Sequence, residues 1–82
     1  MSRWPEDEID PRKSAWRLIS AFIFAGDWSN EGKEALRLDV EQLKWSTGLR
    51  NTDLTFLIEH KLAGASDKDK KSINEVRRIL GV

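Results

Sequence analysis

The chain has 82 residues, enough for one small domain, and 39% of them are hydrophobic against 34% charged. That balance excludes a disordered chain and a membrane-embedded one. Fourteen Lys and Arg offset fourteen Asp and Glu, so neither a uniformly basic nucleic-acid coat nor an acidic mimic of nucleic acid fits the whole chain. With no cysteine and one histidine, disulfide frameworks, thiolate metal sites and multi-histidine metal sites are excluded as well.

The chain opens Met1-Ser2-Arg3-Trp4-Pro5 and continues with an acidic run from Glu6 to Asp10. No apolar segment follows a basic start, so a secretory signal is not expected. Residues 1–9 read as a flexible tail and residues 10–82 as a single helical domain. The most apolar stretch runs from Ala15 to Ala25, well short of the roughly 20 residues that cross a bilayer. Absent cysteines fit a reducing compartment, and a cytoplasmic location is expected.

Start and stop signals divide the domain into helices. Asp10 before Pro11 is an N-cap followed by proline at the first helical position. Ser29 opens a second segment, Asp39 with Gln42 resembles a capping box, Asn51 or Thr52 opens a fourth, and Ser66 with Asp67 and Asp69 opens a fifth. Glycines 26, 48, 64 and 81 each follow a helix-like segment, where a left-handed residue is wanted. The expectation is an all-α bundle of four to five short helices, near 11–25, 30–38, 40–47, 52–63 and 66–80. The two middle segments are free to fuse, since nothing between Leu38 and Asp39 breaks a helix.

Apolar residues follow helical spacing. Ala15, Trp16, Leu18, Ile19, Phe22, Ile23 and Phe24 cover more than half of the first helix, an arc too wide for one side of a thin domain. Phe22, Phe24 and Trp28 are therefore candidate interface residues and a homo-oligomer is expected. Trp16 and Trp45 sit on apolar faces and are expected in the core. Ile73, Val76, Ile79 and Leu80 form the stripe of the last helix.

One pattern carries chemistry. Asp39 to Ala63 holds a short capped helix, then Thr47-Gly48-Leu49, then a second capped helix. Two helices joined by a glycine-containing turn of three or four residues resemble a helix-turn-helix. Leu43 would pack the first helix, Leu49 the turn, and Leu54, Leu57 and Ile58 the second helix. The chain also closes Val76-Arg77-Arg78-Ile79-Leu80-Gly81-Val82, similar to the end of lambda-repressor-like domains. The resemblance spans residues 39–82. It implies that Arg50, Asn51, Thr52 and Thr55 reach base edges in the major groove. It also implies that Lys44, Lys61, Lys68, Lys71, Arg77 and Arg78 hold phosphates. The chain departs from the pattern at Lys44, where a small residue is usual, and at Asp53 and Glu59, which place negative charge on the reading helix.

Charge is unevenly placed. Residues 1–41 carry six basic and nine acidic side chains, a net of −3, and residues 42–82 carry eight and five, a net of +3. A positive half suits DNA, and opposite halves also suit pairing between two copies. Nothing supports catalysis: the carboxylate pairs Glu6–Glu8 and Asp67–Asp69 fall in the tail and in a first helical turn rather than a buried cleft, and no glycine-rich phosphate loop occurs. No cofactor or metal is expected. Two functions follow: a small dimeric DNA-binding regulator, or a non-enzymatic protein-interaction module such as an adaptor, a death-fold-like effector domain or a phage-encoded inhibitor.

Overall fold

A computed structural model describes residues 10–82, and the expected tail at 1–9, with Trp4, lies outside the described residues. Four helices make up the domain: α1 (Pro11–Ala25), α2 (Asn30–Thr47), α3 (Asn51–Ala63) and α4 (Asp67–Leu80). The architecture is an all-α bundle.

Local chemistry explains most of the boundaries. Asp10 caps α1 by accepting from the Arg12 amide at 2.9 Å, and Pro11 fills the first position, where an N–H has no helical partner. Ser29 caps α2 through the Gly32 amide at 3.1 Å, and Ser66 caps α4 through the Asp69 amide at 3.3 Å. At α3 the cap works the other way round. Arg50 is the N-cap residue, and the Asp53 carboxylate reaches back to its amide at 3.0 Å.

Two expectations need correction. The middle segments are one helix, and Asp39 lies exposed within α2 rather than at a cap. Every residue from Asn30 to Thr47 tolerates helical geometry, so burial of Leu36 and Val40 on either side of the expected break carries the helix through it. Gly64 also lacks the left-handed conformation expected of it, with φ −104. A tight turn closed by the Ala65 amide on the Leu62 carbonyl, at 3.2 Å, leads straight into the Ser66 cap.

The core is small and wholly aliphatic. Ala15 and Ile19 of α1 meet Leu36 and Val40 of α2, Leu49 of the α2–α3 turn, Leu54 of α3 and Val76 of α4. Ile58 and Ile73 are buried as well. Helices α1 and α4 each approach the other three, and α1 does so most extensively, which makes it the central element, as its wide apolar arc requires. Phe22 and Trp28 are half-buried against this core and meet edge to face, with ring centroids 4.9 Å apart and planes at 81°.

Gly32 is needed for a close approach. A Cβ there would lie 2.5 Å from the backbone oxygen of Asp27, because the α1–α2 connection folds over the first turn of α2. Alanine is the better helix former by up to about 1 kcal/mol, but the overlap is with backbone that cannot rotate away. Gly32→Ala should therefore destabilise, by about 1–2 kcal/mol in a urea melt, against the sign of helix propensity. An unchanged or raised midpoint would show that the connection is looser than described.

The caps also set an acid limit. Burial opposes ionisation of Asp10, but the Arg12 amide, its guanidinium and the Lys13 charge outweigh it and hold the carboxyl below its ordinary value of 3.8. Asp27 is lowered by hydrogen bonds from the Ser29 hydroxyl and amide. A carboxyl lowered on folding contributes stability above its unfolded value and loses it as the pH falls through the folded one. The thermal midpoint should therefore fall below about pH 4 and less steeply in Asp27→Asn. A midpoint that rises on acidification would contradict this.

Candidate functional site

The α2–α3 connection forms as its sequence suggests. Gly48 takes φ 75, its amide bonds to the Lys44 carbonyl at 2.9 Å, and Leu49 plugs the core at 3% exposure. The Thr47 hydroxyl donates to the Leu43 carbonyl at 2.6 Å and accepts from the Leu49 amide at 3.3 Å, which pins the turn from inside. Leu43 and Leu57 are half-buried against the core and Leu54 and Ile58 fully buried.

Beyond the turn the two helices diverge. No Cα of α2 comes within 8 Å of a Cα of α3. A narrow cleft of about 80 Å³ separates them, lined by Arg37, Glu41, Lys44 and Asn51 among others. Lys44 stands where a close helix crossing needs a small side chain. Its amine lies 3.5 Å from Glu41.

The sequence-derived base readers share the N-terminal end of α3. Arg50, Asn51 and Thr52 are exposed there, and Thr55 is half-buried with its hydroxyl turned back onto the Asn51 carbonyl at 3.0 Å. The Arg50 guanidinium lies 3.8 Å from Asp53. One turn on, the same outward side carries exposed Phe56 and Glu59.

Of the expected phosphate contacts, Lys44 lines the cleft beside Asn51, and so does Leu80, at the end of α4 that carries Arg77 and Arg78. Lys61 lies over the Trp16 ring, 5.0 Å from its centroid. Arg77 donates from Nε to the Val82 carbonyl at 2.9 Å, holding the end of the chain. Arg78 lies 3.9 Å from Glu75. Lys68 and Lys71 are exposed at the start of α4, beside Asp67 and Asp69.

The aromatic expectations divide. Phe22 and Trp28 turn inward onto each other, whereas Phe24 is 94% exposed. Trp16 packs against the core, but Trp45 is 85% exposed. The fusion of the middle helices explains Trp45. Nine residues on from buried Leu36, at about 100° per residue, it lands on the opposite side of α2.

That opposite side forms a ridge. Leu38, 57% exposed, and Trp45 stand two turns apart on the outward side of α2, with Glu31, Glu34 and Glu41 alongside. Glu34 pairs with Arg37 at 3.1 Å and Glu41 with Lys44 at 3.5 Å, both at the surface where such pairs hold weakly. The separate segments expected around Leu38 and Asp39 hid this ridge. The spacing Leu38 to Trp45 reveals it once the helix is continuous.

A second surface lies on the outer side of α1. Two adjoining grooves share Trp16, Ser20 and Lys61 and form one trough between α1 and the α3–α4 region. One end is bordered by Lys13 and Arg17 and floored by Leu57. The other, of about 390 Å³, is apolar, with Ile23, Phe24 and Ile73 in its lining.

Among the described residues no polar or charged side chain is buried, and no three His, Asp or Glu residues are grouped to hold a metal ion. No helix of the described chain is long and apolar enough to cross a membrane. No protein-family model matches the chain, and no curated protein or solved structure does either.

Proposed function

We propose that the protein is a non-enzymatic interaction module that docks a protein partner on the outward side of α2. The observation that carries this is the exposure of Leu38 and Trp45 on a helix already anchored by Leu36 and Val40. Trp45 exposes a large rigid ring that the core does not use, and tryptophan is the residue most enriched at binding hot spots. The carboxylates along the ridge select a partner carrying Lys or Arg beside apolar side chains.

DNA binding is the second reading, favoured by the solvent-facing Arg50, Asn51 and Thr52 at the start of α3. Two features weigh against it. Asp53 lies beside Arg50, and Glu59 is exposed further along the same side of α3, so negative charge would face the phosphates there. A titration of labelled random duplex DNA at low salt separates the readings. The interaction reading expects no binding at tens of micromolar protein. Saturable binding that weakens steeply with salt and is lost in Arg50→Ala would replace it with the DNA reading.

A further inference from the structure

We infer that the partner of the α2 ridge is the α1 trough of a second copy of this chain, so that copies join head to tail. The inference rests on the interaction reading and adds the identity of the partner. Three observations lead to it.

The first is charge. The ridge presents Leu38 and Trp45 beside Glu31, Glu34 and Glu41, whereas the trough presents Trp16, Ile23 and Phe24 beside Lys13, Arg17 and Lys61. Each surface is an apolar strip with charged edges: the ridge edge is mainly acidic, with Arg37 and Lys44 paired to Glu34 and Glu41, and the trough edge is mainly basic, with Asp69 at its apolar end. Like surfaces would repel, so ridge on ridge and trough on trough are both disfavoured.

The second is dimension. Leu38 and Trp45 are seven residues apart, about 10 Å along the helix axis. The trough follows α1 from Lys13 to Phe24, about 16 Å, long enough to take both anchors and Glu41 between them. Phe24 at its apolar end is 94% exposed and gives one anchor a ring to pack on.

The third is placement. The ridge points away from the side of α2 that meets α1, and no residue of α2 lines the trough. The two surfaces of one molecule therefore cannot satisfy each other. A contact between unlike patches is heterologous, and it closes into a ring or continues as a filament.

The test is sedimentation velocity on the full chain from about 10 to 500 µM, at low and moderate salt, with two variants. Arg17→Glu damages the trough and Leu38→Asp the ridge, and both residues are solvent-exposed. The wild-type chain should exceed the monomer mass as concentration rises, and less so as salt is added. Each variant alone should remain monomeric. An equimolar mixture should give a species of twice the monomer mass and nothing larger, because one intact ridge meets one intact trough.

A wild-type chain that stays monomeric at the highest concentration would overturn the inference while leaving the α2 ridge available to another protein. So would assembly by Arg17→Glu that Leu38→Asp lacks, which means ridge pairing with ridge, or a mixture that stays monomeric. Saturable duplex-DNA binding would instead remove the interaction reading beneath it. Circular dichroism checks that each variant is folded, and Lys13→Glu and Trp45→Ser replace either one that is not.

Discussion

Ile19→Ala should leave the domain barely folded at room temperature. Ile19 is fully buried on the central helix and belongs to the cluster that joins all four helices. Removing it deletes about three carbons of apolar contact and leaves a cavity that a backbone held by Val40, Leu54 and Val76 cannot fill. Such substitutions cost about 2–5 kcal/mol. A domain of this length holds only about 4–12 kcal/mol in total. A urea titration followed by circular dichroism should show the midpoint fall by a third or more. A loss under about 1 kcal/mol would mean that α1 is not the element around which the others pack.

Leu38→Asp combined with Trp45→Ser should do the opposite. Both residues are exposed, so folding stability should change by no more than about 0.5 kcal/mol per site. Binding should change far more. Truncating a hot-spot side chain costs about 2–4 kcal/mol, which is a 30-fold to 1,000-fold loss of affinity for the partner. A double variant that melts early would mean the two side chains serve the fold. One that melts normally and still binds would remove the ridge from the functional surface.

The contrast between these two substitutions reflects what local chemistry can specify. Asp10-Pro11, Ser29 and Ser66 announce helix starts because the capping hydrogen bonds lie within three residues of the cap. Gly48 and Gly26 announce helix ends because the left-handed conformation is a property of the residue itself. The core stripe of Leu54 and Ile58 follows directly from helical spacing.

Trp45 marks where that reading stops. Beside Leu43 and Leu49 it looks like one more core aromatic. Its side of the helix depends on whether α2 is broken at Leu38, and tertiary burial of Leu36 and Val40 decides that. The α1 trough is less legible still. Lys13, Arg17 and Phe24 lie on one helix, but the opposite wall comes from Lys61, Gly64, Ala65 and Ile73, more than 35 residues further on. Only the packing of α3 and α4 against α1 brings them together. The candidate base readers show the converse. Arg50, Asn51 and Thr52 are exposed at the start of α3, yet nothing in their local sequence shows that α2 and α3 diverge beyond the turn.

Photo-crosslinking from single positions tests the central claim most directly. A photo-reactive amino acid is placed at position 45 in one preparation of the full chain and at position 52 in another, each is irradiated in the cells that make it, and the adducts are identified by mass. The ridge at Trp45 and the reading end of α3 at Thr52 then compete in one experiment. The account predicts a discrete protein adduct at position 45, a second copy of this chain included, and no nucleic-acid adduct at position 52. Nucleic acid joined at position 52, with nothing joined at position 45, would contradict it.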